Sequence, residues 1–428
     1  MLLPNAVIRQ HLVFYYIYKK AFMKNLGIKI SIYINYFVFA ILLNSVGIVI
    51  LKSQKNYGVD EVQASILEAF KDMPIAIVSF FIASFLPRIG YKKAMLTGLA
   101  LVSFACIAMY FGNSFDTAKL LFATVGVSFA LIKVSVYSLI GTVTENQKEH
   151  NALMSSVEGV FMIGIALAYF LFPAFNNENN PDSWLNVYWF LALLSLLSFA
   201  FLLFTKFEKQ EEIPGANIVD DFLQMVKLMG RLLIIIFVIS AFLFVMIEQG
   251  IMSWLPTFNT KVLHLPENIS IMMASILAIS LAIGRITAGI ITKKINWIWV
   301  LTVCIASAML IVVFLLPKAV GLEVKEINSL SDIPLIAFAF PLVGLFIAPI
   351  YPLLNSVVLS ALPKKLHSPM TGLIVVFSAL GGTLGSRAIG YLFKNKGPEN
   401  AFYFTLIPMT LLLISFFILK KLTAKNEI

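Results

Sequence analysis

Apolar runs of bilayer length, separated by short polar turns, repeat along this chain from about residue 30 to residue 419. Crossing a bilayer core takes about 20 apolar residues at roughly 1.5 Å rise each. Twelve such runs can be drawn: 30–51, 63–86, 94–112, 119–143, 151–173, 184–205, 231–256, 268–292, 297–316, 334–361, 368–393 and 401–419. In lipid the backbone must satisfy its own hydrogen bonds, which leaves helices or closed barrels. Continuous apolarity at this length selects helices, so the expected fold class is all-α, with twelve transmembrane helices. The longest polar break, 206–230, contains Pro214 and Gly215, followed by an amphipathic piece from Asp220 to Met229. It separates six spans from six. The expected organisation is a tail 1–29, a six-helix half 30–205, a linker 206–230, a six-helix half 231–419 and a tail 420–428, the plan of transporters built from two repeated halves.

Charges inside these runs carry the functional signal. Lys133 lies in the fourth run and Glu158 in the fifth, on either side of a polar turn, Thr144 to Asn151. Lys133 should sit about 15 Å deep and Glu158 about 10 Å deep, so a cation and an anion come within about a turn of each other in depth. An ionisable side chain at such depth is costly and turns to a bundle interior or wet cavity. In the second run Glu68, Lys71 and Asp72 stand at i, i+3 and i+4 and share one helix face. Glu68 falls near the predicted outer interface, where hydration is one reading; Asp72 lies deeper. The four in-span anions Glu68, Asp72, Glu158 and Glu248 match the four in-span cations Lys71, Lys133, Arg285 and Arg387. Mutual ion pairing that orients helices and a proton or substrate pathway are both consistent with that balance.

Composition agrees with a membrane chain. Apolar residues make up 60% and charged residues only 13%, against about 25% charged in a soluble domain. The net charge of +10 punctuates apolar runs without forming a nucleic-acid-binding stripe. Cys106 and Cys304 fall inside apolar runs, which suggests neither a disulfide framework nor a metal site. No cleavable signal peptide is evident; segment 12–23 reads as a surface amphipathic helix, and Met23 as an alternative initiator. With both termini in the cytoplasm, inner segments hold 20 Lys and Arg and outer segments eight, so that orientation in the cytoplasmic membrane is expected.

Two turns echo each other. After the second run come Ala83, Pro87, Arg88, Gly90, Lys92 and Lys93; after the eighth come Gly284, Arg285, Gly289, Lys293 and Lys294. With the 6+6 layout, these resemble the cytoplasmic gate loops of the major facilitator superfamily, although Ala83 and Pro87 stand where that pattern has Gly and Asp. The gate residues implied are Arg88, Gly90, Lys92, Gly284 and Arg285. The runs Glu248 to Thr257, Ala348 to Pro352 and Thr371 to Gly382 further resemble the fucose permease-like branch. That resemblance implies proton-coupled symport of a sugar or related metabolite. Here Asn44 and Lys133 stand in spans one and four, where the fucose permeases have acids.

The site residues expected are of two kinds. A carboxylate that gains and loses a cationic neighbour between conformations can take up and release a proton; Glu158 with Lys133 is the first candidate and Asp72 the second. Substrate contacts should come from helices loosened by Gly or Pro near the midplane: Asn44, Lys71, Tyr137, Glu248, Gln249, Trp254, Tyr351 and Asn355. Trp254 can stack on a sugar ring or anchor at an interface, and Lys133 with Arg285 leaves room for an anion. No cofactor is expected, and the partners are a small solute, protons and lipid around a monomer. An enzyme is disfavoured: His11, His150, His264 and His367 lie in tails or loops, and no zinc or phosphate-loop motif occurs. A sensor would want a large soluble output domain. Proton-driven efflux of a drug or siderophore-like compound is the rival within transport.

Overall fold

The computed structural model describes residues 25–144, 146–177, 179–207, 223, 225–292, 294–322, 327, 329–360, 362 and 367–426. Among them there is no strand beyond an isolated bridge between Asn177 and Asn180. The first span is built from α1 (Leu26–Asn44) and α2 (Val46–Asn56). Then come α3 (Ile66–Ile89), α4 (Tyr91–Gly112), α5 (Phe115–Val143), α6 (Gln147–Ala174) and α7 (Asn186–Phe204). The later spans are α8 (Leu232–Lys261), α9 (Glu267–Ile291), α10 (Trp297–Leu315), a tenth span containing α11 (Val343–Ile347) and α12 (Ile350–Ser360), α13 (His367–Lys396) and α14 (Leu406–Asn426). Eleven of these spans are long and apolar enough to cross a membrane by length and composition. The twelfth, α3, carries the Glu68, Lys71 and Asp72 charges.

Local chemistry starts several helices where the pattern places them. Ser114 and Thr117 form a capping box at the head of α5, and Asn146 accepts the Glu149 N–H at 2.9 Å at the head of α6. Gly90, at φ 87°, makes the turn from α3 to α4, a backbone region that a side chain disfavours. The first span runs through Ser45 with its helical hydrogen bonds kept, Ser45 N–H to Ile41 O at 3.1 Å and Val49 N–H to Ser45 O at 2.9 Å, while the tenth breaks at Ala348–Pro349, as a loosened helix should. The seventh does not: α8 runs unbroken through Gly250 and Pro256, because Gly250 there packs against Ile389 and Gly385 of α13.

Helix pairing in the first six spans recurs in the last six. The α1–α6, α3–α5 and α4–α7 contacts have counterparts in α8–α13, α9–α11 and α10–α14. The two sets meet through α2 against α8, α3 against α13 and α6 against α9. Large aromatics such as Trp184, Trp254, Tyr36 and Tyr169 are fully buried, while Phe104, Phe111 and Phe204 are exposed. An exterior of that kind suits acyl chains. From the predicted linker, Met225 and Leu228 bury one helical face, with Met225 near Gly372 of α13; residues 208–222 and 224 lie outside the described residues. So do 1–24, with segment 12–23, Arg9, His11, Lys19, Lys20, Met23 and Lys24, and also Lys293, Lys364 and Lys365.

Candidate functional site

Three polar clusters lie among the helices where the first set faces the last. The first belongs to α3. Lys71 pairs with Glu68, one turn earlier, and its Nζ lies 3.5 Å from Asp72 Oδ1. Glu68 is fully buried, which corrects the hydrated-interface reading; its Oε2 accepts the Ser253 hydroxyl of α8 at 2.8 Å. The correction has a packing cause. At Gly47, α2 approaches the Ser253 backbone of α8 closely enough that a Cβ would have no room, and this close approach helps seal the region around Glu68. Asp72 abuts α13 at Gly382, where an added Cβ would strike its Oδ2, and Gln249 flanks the same glycine. Removing charges from water costs several kcal/mol per ion unless they are paired. Here one ammonium serves two carboxylates.

The second cluster joins α5 to α6. Tyr137 donates its hydroxyl to Glu158 Oε1 at 3.1 Å. Lys133, one turn before Tyr137, lies 5.8 Å from the Phe129 ring centroid and 5.9 Å from that of Tyr137. The expected Lys133–Glu158 ion pair is therefore not formed in this structure. The ammonium rests on ring faces, a favourable cation–π position, and the phenol takes the carboxylate. Tyr36 of α1 and Phe161 of α6 complete an aromatic wall, their rings 5.7 Å apart.

The third cluster joins α8, α9 and α6. Arg285 Nη2 lies 3.4 Å from Glu248 Oε1, and Nη1 lies 3.6 Å from Met162 Sδ. Arg285 thus lies inside α9, about two turns before the helix end where the gate-loop resemblance placed it. Its side chain points into the interface between helix sets, whereas its neighbour Gly284 faces the other way and packs on Leu345 and Ala348. Gly284 is thus a close-packing position. Nearby on α12, Tyr351 stacks on Phe244 with centroids 5.4 Å apart, and its hydroxyl is 3.2 Å from Ser378 Oγ. Asn355, one turn on, has a buried Oδ1 that meets no partner among the described residues.

Two further expectations fare differently. Trp254 is fully buried, tilted against Phe393 with 5.1 Å between centroids, and donates its indole N–H to Ser386 O at 2.9 Å. It offers no face to a sugar and is no interface anchor, because Gly390 lets α13 close over the indole. Asn44 stands within the first span, its Nδ2 donating to Ala40 O at 2.9 Å.

The two ends of the bundle differ. At the end predicted to face outward, Glu267 pairs with both Lys52 and Lys55, the latter at 2.7 Å. Lys52 also donates to Asn176 Oδ1 at 2.7 Å, and Asn176 in turn to Asn268 Oδ1 at 2.7 Å. Lys261 pairs with Glu61, and Lys394 with Asp60 at 2.8 Å. Each of these ion pairs joins the first helix set to the last. Sequence reading counted the lysines only for orientation; no local pattern marks a partner some 200 residues away. At the other end Lys92 donates to Leu203 O at 2.8 Å and Thr205 O at 2.9 Å, closing the free carbonyls at the end of α7. The Arg88 side chain lies outside the described residues.

The family profile of the Major Facilitator Superfamily matches residues 32–386. No curated protein matches the chain. Solved structures of like fold include a bacterial homolog of the human lysosomal transporter Spinster, inward-facing and occupied, at 12% identity and TM-score 0.75, covering 94% of this chain and 98% of that one. A D-xylose-proton symporter matches at 12% identity and TM-score 0.67, covering 92% and 97%. The E. coli fucose:proton symporter FucP matches at 12% identity and TM-score 0.62, covering 92% and 99%. At these identities the likeness is one of fold.

Proposed function

The chain belongs to the Major Facilitator Superfamily, and from that premise we propose that it carries a small polar metabolite across its membrane together with a proton. It is a multi-pass membrane transporter; the solute class and the coupling are our reading. One observation carries it: hydrogen-bonding and charged side chains of the first six spans meet the last six at mid-bundle, with Glu68 on Ser253, Asp72 against Gly382 and Arg285 against Met162. Buried ionisable groups in membrane helices mark pathways by default.

The repeated helix pairing supports a mechanism in which residues 30–205 and 231–419 act as two halves that rock about a shared site. The Lys52–Glu267, Lys261–Glu61 and Lys394–Asp60 pairs hold one end shut. Opening that end must break them, and re-forming them stabilises the closed state. Asp72 and Glu158 are the proton carriers in this reading. Asp72 shares Lys71 with Glu68, so one proton on the pair leaves the cluster neutral. Glu158, bound by the Tyr137 hydroxyl, gains a cation only if Lys133 leaves the rings. Two of the solved structures of like fold are proton symporters of sugars, which supports the coupling.

The test is uptake into proteoliposomes loaded with a pH-sensitive dye, with sugars, amino sugars and small acids added outside in turn. A solute that drives alkalinisation outside and acidification inside is expected, with the effect lost in Glu158→Gln or Asp72→Asn. Coupling that survives both substitutions unchanged argues against these carriers. The aromatic wall of Tyr36, Phe129 and Phe161 favours a second reading, proton-driven export of a more apolar compound. Reversing the proton gradient in the same vesicles decides between them.

A further inference from the structure

We infer that Arg285 and Lys133 form an anion subsite, so that the transported solute bears a carboxylate or phosphate group. The inference rests on the transporter reading above and deepens it by naming the chemistry of the solute.

A guanidinium presents five N–H donors in a planar fork that suits a bidentate oxyanion. Arg285, whose side chain is 32% exposed, has no such partner. Glu248 supplies one oxygen at 3.4 Å, longer than the 2.7–2.9 Å typical of a charge-assisted bond. A second nitrogen faces only the Met162 thioether, a weak acceptor. The Nε is buried and meets no partner among the described residues. The guanidinium is anchored on one helix set and reaches to the other with most of its donors unused.

Lys133 is the second under-matched cation. Its ammonium has three donors; it lies over the faces of Phe129 and Tyr137, with the Glu158 carboxylate near but already bound by the Tyr137 hydroxyl. Ring faces attract the charge but accept no full hydrogen bond. A chain of contacts links the two cations: Lys133 lies over Tyr137, Tyr137 holds Glu158, and Glu158 is one helical turn from Met162, which Arg285 touches. An oxyanion entering there offers two or more oxygens to the fork where Glu248 offers one, and its remaining lone pairs reach toward the ammonium. Arg285 supplies direction and Lys133 a mobile point charge, the ordinary division between these side chains. A neutral sugar would leave both cations as poorly matched as they are now.

The experiment uses purified full-length protein in detergent and reads thermal stability against paired probes. D-Glucuronate is set against D-glucose, succinate against succinamide, and D-glucose 6-phosphate against D-glucose. Because a ligand of the folded state stabilises it, a saturable rise in Tm is expected with at least one acid and not with its neutral partner. The carboxylate and phosphate arms show which oxyanion fits. In Arg285→Gln and Lys133→Gln the affinity for that acid should fall about 10- to 100-fold, the loss of a charge-assisted hydrogen bond. Arg285→Lys should recover only part, because the fork is gone, and Lys119→Gln, a surface control, should change nothing. Failure of every acid overturns the inference, as does equal stabilisation by a neutral partner or undiminished acid binding in both Gln variants. A neutral solute carried normally by Arg285→Gln vesicles would overturn the subsite while leaving the transporter reading intact. Absence of any solute flux would strike that reading instead, and the binding arm would still decide the subsite.

Discussion

Ser253 on α8 donates its hydroxyl to Glu68 on α3 across 2.8 Å, joining positions 185 residues apart in sequence at a place with no access to solvent. The same carboxylate pairs with Lys71. Removing one member of a buried pair strands the other, so Glu68→Gln should destabilise the protein by about 3 kcal/mol, the low end for a broken buried pair because Asp72 remains beside the lysine. Ser253→Ala leaves the pair intact and should cost only about 1–3 kcal/mol. Thermal unfolding in detergent measures both; a Glu68→Gln protein as stable as the parent refutes the account.

Gly382 gives a steric test of Asp72. A methyl group there meets the end of the Asp72 side chain at Oδ2, so the carboxylate must turn away from α13. Gly382→Ala should therefore cost about 1 kcal/mol, the low end of overpacking, and lower coupled uptake by displacing Asp72. Gly159→Ala is the matched control, since a Cβ at Gly159 meets nothing within 4 Å. Alanine is the better helix former by up to about 1 kcal/mol, so this variant should be neutral or stabilised.

Glu267 is the hub of the closed end, holding Lys52 and Lys55 together. Glu267→Gln should weaken that closure and shift the population toward a state open at this end. Ser53, fully buried on α2 beside the latch, reports it. In a background with Cys106 and Cys304 replaced, a Ser53→Cys thiol should react with a polar maleimide several-fold faster when Glu267→Gln is also present. Equal labelling rates with and without Glu267→Gln would show that the latch does not limit opening.

Acid should loosen the same end in a defined order. Hydrogen bonds from Lys394, then from the Gln63 backbone, hold the Asp60 carboxyl below the usual carboxylate range. A depressed folded value means the Asp60–Lys394 link contributes in full above the unfolded value of about 4 and fades as pH falls through the folded value below it. The Tm difference between the parent and Asp60→Asn should be steady near neutrality and shrink as pH falls below about 4. A difference already lost at pH 5 contradicts the assignment.

Trp254→Phe separates structure from binding. It forfeits the indole bond to Ser386 but keeps the packing on Phe393, so a loss of about 1 kcal/mol is expected with the KM for the solute unchanged. A raised KM at unchanged stability would return Trp254 to the substrate site.

The spans, their helical nature and the charges embedded in them were legible in sequence, because lipid imposes one rule on every residue of a crossing segment. The break at Pro349 was legible for a similar reason: a proline has no N–H to give the preceding turn. The break expected in α8 was not there, because Gly250 serves close packing on α13, and a glycine's sequence neighbours do not say which of its two uses applies.

What the chain order by itself determined is that ionisable side chains would be carried into the bundle, and roughly how deep. Which partner each one takes was decided by tertiary packing alone. Glu158 took the Tyr137 hydroxyl, Arg285 reached Glu248, and Glu267 took lysines as far as 215 residues away. The reason is range. Depth follows from counting residues along one helix, whereas a salt bridge or hydrogen bond is settled within a few ångströms by how two distant helices rotate and approach. Glycines such as Gly382 set that approach only once the neighbouring helix is in place.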